Sequence, residues 1–164
     1  DALGCRPLQL ANLACIIANR GYYYIPHIVK RIEGQDSLDR RFYERHYTKV
    51  DPKHFDPIVE GMWRGVNVGG TSTMARLEGW DVCGKTGTAE NPRGRDHSTF
   101  LSFAPKDNPR IAISVYVENG GFGATSALPI ASLLEEYYLT DTIRRPALLE
   151  YVKNMQLYYP AYDK

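Results

Sequence analysis

Residues 79–121 read GWDVCGKTGTAENPRGRDHSTFLSFAPKDNPRIAISVYVENGG, and this stretch decides between two folds. Its first eight residues, 79–86, fit the pattern G-x-x-x-x-G-K-T, in which a strand leads into a phosphate-binding loop and a helix follows. Residues 85–87 also spell K-T-G, a motif that would lie on a strand at the edge of an antiparallel sheet. The two interpretations require different structures directly after Lys85, so the residues that follow it decide between them.

A phosphate-binding loop needs a helix after Lys85, because the helix N-terminus supplies free N–H groups to the phosphates. Gly87 and Pro92 both disfavour such a helix, and no apolar stripe of 3.6-residue period follows them. Asp81 would also bring a negative charge near the phosphate oxygens. The apolar segment that ends in Glu118 resembles the second strand of such enzymes, but it arrives through a hairpin. We therefore reject nucleotide binding.

The alternative predicts three neighbouring antiparallel strands, at Val82–Thr88, His97–Ala104 and Arg110–Glu118. The last two are joined by KDNP, which is typical of a turn and is too short for the helical crossover that parallel strands need. We expect these strands to pack under a helix near Ser126–Leu139. Helices, then adjacent strands, then a helix predict an α+β fold, an antiparallel sheet flanked by helices.

Four further helical or extended segments are predicted before the sheet. Apolar residues at helical spacing predict a helix over Pro7–Asn19, with Gly21 as its C-terminal stop. The aromatic and β-branched segments 22–32 and 40–50 favour strands, the second of them charged and exposed. Residues 71–79 are expected to form a short helix.

Two helices carry predicted caps and predicted apolar faces. Asp51 is the expected N-cap of a helix with Pro52 in its first turn, and Ser126 is the expected cap of the last helix. The predicted apolar stripe of the first consists of Phe55, Ile58, Val59, Met62 and Val66. The predicted apolar face of the last consists of Ala127, Ala131, Leu134 and Tyr138.

Composition limits the functional classes. The 164 residues are 43% hydrophobic and 24% charged with a net charge of +1, which favours a globular domain and gives no broad attraction to nucleic acid. The three cysteines are expected to be free thiols, and neither a metal nor a cofactor is expected. The sequence has no initiator Met, no signal peptide and no apolar run of membrane-spanning length. We expect a piece of a longer protein whose membrane anchor lies upstream.

The K-T-G residues suit acyl transfer to serine. A lysine ammonium supplies positive charge, threonine hydroxyls donate hydrogen bonds to a substrate carboxylate, and a glycine lets the substrate backbone approach the strand.

Residues 84–121 resemble the corresponding segment of class B penicillin-binding proteins of the elongation type, the penicillin-binding protein 2 type. The segments RPLQLANLACIIANRG, HFDPIVEGMWRGVNVGGTS and SALPIASLLEEYYL resemble helices that this family carries in the same order. The resemblance covers residues 7–139, with 140–164 as a C-terminal tail. It implies that residues 1–164 are the C-terminal portion of a transpeptidase domain with the serine β-lactamase-like fold.

The resemblance also implies the roles of the site residues. Lys85 would lie beside the nucleophile as a catalytic residue. Thr86 and Thr88 would bind the terminal carboxylate of a D-Ala-D-Ala stem peptide or of a β-lactam. The backbone N–H of Thr88 would be one oxyanion-hole donor, and Gly87 would keep the strand clear for the substrate.

One departure from the family concerns the nucleophile. The family carries Ser-x-x-Lys and Ser-x-Asn motifs upstream of K-T-G, and no serine of this sequence has Lys three residues on or Asn two residues on. We therefore expect a peptidoglycan D,D-transpeptidase in the parent protein and an inactive chain here. The parent is expected at the periplasmic face of the bacterial inner membrane, among cell-wall elongation proteins. Apolar faces left uncovered in this chain should favour self-association.

Two alternatives stay open. A β-lactamase or a D,D-carboxypeptidase shares the K-T-G motif, and a non-catalytic module could bind peptidoglycan peptide or a partner of the cell-wall assembly complex. The run Asp96, His97, Ser98 is not expected to form a catalytic triad, because consecutive strand residues point to opposite faces. Arg93 and Arg95 flank the site and could steer an anionic peptide.

Overall fold

The computed structural model describes residues 4–35 and 37–157. The elements, in chain order, are the helix α1 (Pro7–Ala18), the strands β1 (Tyr22–Tyr23) and β2 (His46–Tyr47), the helix α2 (Phe55–Asn67), the strands β3 (Cys83–Ala89), β4 (His97–Ala104) and β5 (Ile111–Val117), and the helices α3 (Ala127–Thr140) and α4 (Pro146–Lys153). Short 3-10 turns lie at Arg40–Phe42, Pro52–His54 and Thr73–Ala75.

The three main strands form one antiparallel sheet in the order β3-β4-β5. Lys85 pairs with Leu101, and Ser98 pairs with Val117. This confirms the predicted meander: β4 has the predicted bounds, β3 is shifted by one residue, and β5 is one residue shorter at each end. No helix begins at Lys85, so the phosphate-binding loop is excluded by the structure as well. Among residues 4–35 and 37–157, β3 pairs with β4 alone, which leaves its other edge open.

The sheet is covered on both faces. Phe100 belongs to a cluster with Leu128 and Ala131 of α3, whereas Phe103 belongs to a second cluster with Val59 of α2 and Ala18 of α1. Residues three apart on a strand point to opposite faces, which explains why two neighbouring phenylalanines serve separate clusters. The predicted packing of the sheet against the helix near Ser126–Leu139, which is α3, is confirmed.

The first helix matches its prediction closely. It runs over Pro7–Ala18 with Asn19 as its C-cap, and the N–H of Gly21 donates to the carbonyl of Ile16. Gly21 has φ of +112°, a conformation that favours glycine at such a stop. The expected stripe is only partly buried, since Leu13 is exposed.

The two long strands predicted within residues 22–50 are wrong in extent. Only Tyr22 pairs with Tyr47 and Tyr23 with His46. Pro26 has no N–H to continue the ladder, and the charged residues 40–41 begin a 3-10 turn. The fully exposed side chain of Ile28 shows that the intervening chain leaves the body of the domain.

Asp51 caps a 3-10 turn that precedes α2. Its carboxylate accepts from the N–H of Lys53, and Pro52 is the first residue of that turn as expected. The α-helix itself begins only at Phe55. Four members of the predicted stripe are buried, and Ile58 is exposed. The short helix expected within residues 71–79 is a 3-10 turn at Thr73–Ala75.

The prediction for α3 is wrong at its cap and half right at its face, where Ala127 and Ala131 are buried. Ser126 does not cap, because its hydroxyl donates to the carbonyl of Gly120, and the N–H of Ala127 is instead bonded by the Ser98 hydroxyl of β4. Leu134 and Tyr138 are exposed. The physical reason is that α3 lies in a groove that covers most of its circumference. Its buried residues include Leu128, Ser132, Glu135, Glu136 and Leu139.

A buried ion pair holds the last helix against α3. The Glu136 carboxylate accepts from Nε of Arg145 at 3.0 Å and from the N–H of Arg144 at 3.0 Å. Arg145 also donates to the carbonyl of Ser132. The segment called a C-terminal tail, residues 140–164, thus contains a helix at Pro146–Lys153, while residues 158–164 lie outside the described part of the chain. The division at residue 139 stays a prediction.

All three cysteines are free: Cys5 is exposed, Cys15 is partly buried and Cys83 is buried. Across residues 4–35 and 37–157, no helix has both the length and the apolar character needed to cross a bilayer. In the same ranges, no three histidine, cysteine or acidic side chains gather where a metal ion could bind.

Candidate functional site

The K-T-G residues lie in the middle of β3, on its open edge. Lys85 is exposed, and its Nζ donates to the carbonyl oxygen of Thr86 at 2.6 Å. In an antiparallel pair every second residue directs its N–H and C=O away from the partner. The open edge of β3 therefore presents unpaired backbone groups next to a lysine ammonium, which suits an extended, anionic ligand.

The two threonines predicted to bind substrate lie on the same face of the strand, as their spacing of two residues requires. The Thr86 hydroxyl lies 3.1 Å from the hydroxyl of Thr71, in the segment after α2. The Thr88 hydroxyl is exposed and accepts from the N–H of Gly123 at 3.3 Å. The Lys85 side chain projects from the opposite face of β3. Its ammonium bends back to the strand, where it donates to the carbonyl oxygen of Thr86.

A pair of glycines lets the loop after β5 cross the strand closely. A Cβ on Gly123 would stand 2.7 Å from the carbonyl oxygen of Thr99 and closer still to Gly87, which neighbours Thr99 in the sheet. A Cβ on Gly87 would be 3.1 Å from the Thr99 hydroxyl. The close approach therefore requires glycine at position 123, whereas a side chain at position 87 would meet only the Thr99 side chain. The predicted role of Gly87 in substrate approach stays a prediction. The contact made by Gly123 was not predicted from the sequence.

The β3–β4 turn and the β5–α3 loop are hydrogen-bonded to each other beyond the C-terminal end of β3, and together they form a border of the site. The backbone N–H of Asn91 donates to the carboxylate of Asp96, and the Asn91 side chain donates to that of Asn119 at 2.9 Å. The N–H of Gly121 donates to the carbonyl of Asp96 at 2.8 Å. The β3–β4 turn and the β5–α3 loop are thus tied together, a role of Asn91 that the sequence did not indicate.

The arginines of this border are placed differently from one another. A Cβ on Gly121 would lie 3.2 Å from a guanidinium nitrogen of Arg95, so Arg95 reaches over the β5–α3 loop. Arg93 is exposed in the turn, where its backbone N–H donates to the Asn91 side chain. Phe122, which precedes the Thr88-binding Gly123, has 69% of its surface exposed. The border therefore carries two exposed arginines and one exposed aromatic ring, and Phe122 is joined to the Thr88 site through Gly123.

The run Asp96, His97, Ser98 forms no triad. The Ser98 hydroxyl is buried, donates to the carbonyl of Phe122 and accepts from the N–H of Ala127. His97 Nδ1 accepts from the N–H of Asn119. These side chains hold the loop before α3, and their hydrogen bonds do not join them into a triad.

The beginning of β3 is fixed by a network of charges. The Asp81 carboxylate accepts from Trp63 Nε1 at 2.8 Å, and its carbonyl accepts from the N–H of Lys106 at 2.7 Å. Lys106 Nζ pairs with Glu60 at 2.8 Å, and this contact, with that of Arg64, lowers the pKa of the Glu60 carboxyl.

A nucleophile for acyl transfer is not found in the part of the chain that the structure describes. The Lys85 ammonium has no serine hydroxyl within hydrogen-bond distance in residues 4–35 and 37–157. Burial raises the pKa of the Cys83 thiol to about 12, so that thiol is protonated at neutral pH and unreactive. The arrangement can bind and polarise an anionic ligand, but its chemistry needs a nucleophile from elsewhere.

Comparison with known proteins gives a consistent match over this region. The family model described as "Penicillin binding protein transpeptidase domain" matches residues 3–134. The chain is 33% identical over 159 residues to the peptidoglycan D,D-transpeptidase MrdA of Haemophilus influenzae, covering 84% of this chain and 24% of that protein. It is 32% identical over 121 residues to PbpA of Mycolicibacterium smegmatis, also named a peptidoglycan D,D-transpeptidase, covering 70% of this chain and 24% of that protein.

Solved structures agree with this match. The crystal structure of Pseudomonas aeruginosa PBP2 in complex with WCK 5153 has a TM-score of 0.70 and 35% identity, covering 84% of this chain and 30% of that one. The imipenem acyl-enzyme complex of penicillin-binding protein A from M. tuberculosis has a TM-score of 0.70 and 30% identity, covering 85% and 32%. The chain thus spans about a quarter of the length of the curated relatives it matches.

Proposed function

This chain belongs to the transpeptidase-domain family of penicillin-binding proteins, in the group of PBP2 and MrdA, and on that premise we propose that it forms the β3 wall of a peptidoglycan D,D-transpeptidase site. The observation that carries the proposal is the position of Lys85, Thr86, Gly87 and Thr88 on an open-edged strand of an antiparallel sheet. Such an edge can align an extended stem peptide beside the reacting groups.

The proposed reaction divides the work between this chain and the longer protein. A serine hydroxyl supplied by the rest of the transpeptidase domain attacks the carbonyl carbon between the two D-alanines, and the terminal D-Ala leaves with a proton on its nitrogen. The acyl-serine is then attacked by the amine of a second stem peptide, which restores the serine. The Thr88 N–H stabilises the oxyanion of both tetrahedral intermediates.

The remaining groups of the wall bind and orient the donor peptide. The hydroxyls of Thr86 and Thr88 share one face of β3 and donate to the terminal carboxylate of the stem peptide. The Lys85 ammonium supplies positive charge at the same edge and favours the ionised form of its neighbours in the complete site. β-Lactams place a carboxylate and a reactive carbonyl in a similar arrangement, so the complete protein should be acylated by them.

The setting of the longer protein is part of the proposal. Its relatives are peptidoglycan D,D-transpeptidases by name, which supports a place at the periplasmic face of the inner membrane, beside proteins of cell-wall elongation. The 164-residue chain by itself is proposed to be inactive, since it supplies the oxyanion donor and the carboxylate site without the nucleophile.

Apolar side chains left open on this chain support self-association when it is produced alone. Leu8 of α1 is 62% exposed, Leu13 of α1 is 42% exposed and Ile28 is fully exposed. Surfaces of this kind are normally covered by protein. Sedimentation velocity should show dimers or larger species at high concentration, and a strictly monomeric chain that binds no hydrophobic dye would contradict this.

The function is tested on the longer protein with a D-Ala-D-Ala stem peptide and an amine acceptor. We expect release of one D-Ala for each cross-linked product, measured by chromatography and mass spectrometry. Hydrolysis without cross-linking would indicate a D,D-carboxypeptidase, and rapid turnover of β-lactams would indicate a β-lactamase. Stem-peptide binding without any D-Ala release would favour the non-catalytic alternative and overturn the proposal.

A further inference from the structure

Glu135 is a buried carboxyl group that lacks a partner. It lies on the sheet-facing side of α3 with 1% of its surface exposed. Neither carboxyl oxygen makes a hydrogen bond within residues 4–35 and 37–157, and the hydroxyls of Ser102 and Ser132 are buried and unpaired in the same way. A charged carboxylate in such a place would be strongly disfavoured, because burial removes water and nothing replaces it.

The three side chains share one interface. Ser132 lies one helical turn before Glu135 on α3. Ser102 lies on β4, between the buried Phe100 and Ala104, on the face that α3 covers. Its neighbour across the sheet is Gly84, the residue before Lys85. Glu135 therefore occupies a small polar site within the apolar interface of α3 with β4 and β5, and β4 is the strand that pairs with the K-T-G strand.

Glu136, the next residue of α3, differs from Glu135 in having hydrogen-bond partners. Glu136 is equally buried, but it is paired with the guanidinium of Arg145 and with the backbone N–H of Arg144. One helix thus buries two consecutive carboxyl groups, of which one is neutralised by a partner and the other has none. Buried carboxyl groups without a partner bind a proton instead.

The chemistry around Glu135 supports the protonated form. Burial raises the pKa of the Glu135 carboxyl to about 8, and the nearby Ser102 hydroxyl and the charge of Arg145 oppose that rise only in part. Arg145, from the segment before α4, and the Cys83 thiol, from β3, are the titratable or charged groups that act on it from the packed elements. The Cys83 thiol stays neutral at these pH values, so it adds no charge.

We propose that Glu135 is a neutral carboxylic acid in the folded protein and that its deprotonation loosens α3 from the sheet that carries the K-T-G strand. As an acid it has one O–H donor, which can reach the Ser102 or Ser132 hydroxyl after a rotation of the side chains. When the proton is lost to solvent, the site holds an uncompensated negative charge, and either water enters or the helix moves away. The ionisation of Glu135 therefore makes the folded state less stable as the pH rises.

The direction of the effect follows from the two states. At a pH below 4.5, the ordinary pKa of a glutamate side chain, the Glu135 carboxyl is protonated in both the folded and the unfolded chain. As the pH rises from there to about 8, the unfolded chain gives up its proton and the folded chain keeps it, so stability is lost throughout this window. Above it both forms are ionised, and this group adds no further pH dependence.

The test compares urea unfolding of the wild-type chain with that of Glu135→Gln at several pH values from 5 to 8. Glutamine keeps the shape and cannot ionise, so the unfolding constant of the wild type should rise relative to that of the variant by about tenfold per pH unit. Glu150→Gln, at an exposed position, is the matched control and should show no such divergence. Parallel pH curves for the wild type and Glu135→Gln would overturn the proposal.

A second measurement does not depend on the variant folding. Carbon-13 NMR of the wild-type chain labelled at the glutamate carboxyl groups should show one glutamate that is still protonated at pH 7. Its signal should titrate about 3 pH units above those of ordinary glutamates, in keeping with a fully buried carboxyl. If every glutamate carboxyl is ionised at pH 6 in the folded chain, the proposal is wrong.

Discussion

Gly123 lies directly against Gly87, so that a Cβ atom on Gly123 would stand 2.5 Å from the Gly87 carbonyl oxygen and 2.9 Å from its nitrogen. The contact joins the loop after β5 to the K-T-G strand, and the N–H of Gly123 donates to the hydroxyl of Thr88. Because the obstructing atoms belong to the backbones of β3 and β4, a side chain at Gly123 cannot be accommodated by rotation of a neighbour.

We predict that Gly123→Ala lowers the free energy of unfolding by about 1–3 kcal/mol, since the added methyl group must displace the loop or the strand. Urea unfolding followed by circular dichroism measures the change. Gly61→Ala is the matched control: Gly61 is exposed on α2 with nothing near its added Cβ, and alanine there should stabilise the helix by about 0.5–1 kcal/mol. Equal effects of the two substitutions would contradict the contact.

We predict that the 164-residue chain forms no covalent adduct with a fluorescent penicillin on a denaturing gel. Acylation needs a serine that is activated by a neighbouring base, and in the described residues the Lys85 ammonium contacts only the Thr86 carbonyl. The longer protein, run beside it, should give a labelled band. A labelled band from the 164-residue chain would show that it contains a nucleophile of its own.

In the longer protein, Lys85→Ala should slow acylation by penicillin by at least ~100-fold, which is the typical result of removing one electrostatic stabiliser. Lys85 is exposed and outside both hydrophobic clusters, so the unfolding midpoint should stay nearly unchanged. The rate of appearance of the labelled band measures acylation, with Lys153→Ala, in the exposed pair with Glu150, as the control. Normal labelling of Lys85→Ala would mean that the wrong lysine has been assigned to the site.

Arg145→Ala should destabilise the chain by about 3–5 kcal/mol, because it leaves the Glu136 carboxylate buried without its partner. Combining it with Glu136→Met should recover most of the loss, since the uncompensated charge is then removed. The exposed pair of Lys153 and Glu150 offers a control in which loss of the lysine should change stability by at most ~1 kcal/mol. Thermal unfolding is measured for the wild type, Arg145→Ala, the double variant and Lys153→Ala. A double variant as unstable as Arg145→Ala would contradict the role of Arg145 as the partner of Glu136.

The sheet was predictable because its signals are local. Alternation within β4 and the short KDNP turn fix neighbours in sequence as neighbours in space, and the absence of a helix after Lys85 follows from Gly87 and Pro92. The segment 22–50 carries the same residue types, yet it pairs at only two positions. Strand propensity cannot form a ladder without a partner of matching length, and the partner depends on tertiary structure.

The cap and the buried face of α3 were missed because they depend on residues distant in sequence. Ser98 of β4 bonds the first N–H of the helix, although Ser126 has the expected position. For the candidate site, the motif predicted the strand that carries Lys85 and Thr88. The loop contacts join residues that are distant in sequence: Asn91 and Asn119 are 28 positions apart, and Gly87 and Gly123 are 36 positions apart. No local sequence pattern indicates such contacts.

The two ends of β3 are held very differently, and this has a consequence for its motion. The first residues follow Asp81, which is bonded to Trp63 and Lys106, and Val82 is completely buried. The last residues, Thr88 and Ala89, are exposed and depend on β4 and on one bond from the loop. The strand should therefore fray from its C-terminal end, with amide hydrogens there exchanging with solvent sooner than those near Cys83. The part of β3 that should open first is thus the part that would enclose the carboxylate of the stem peptide.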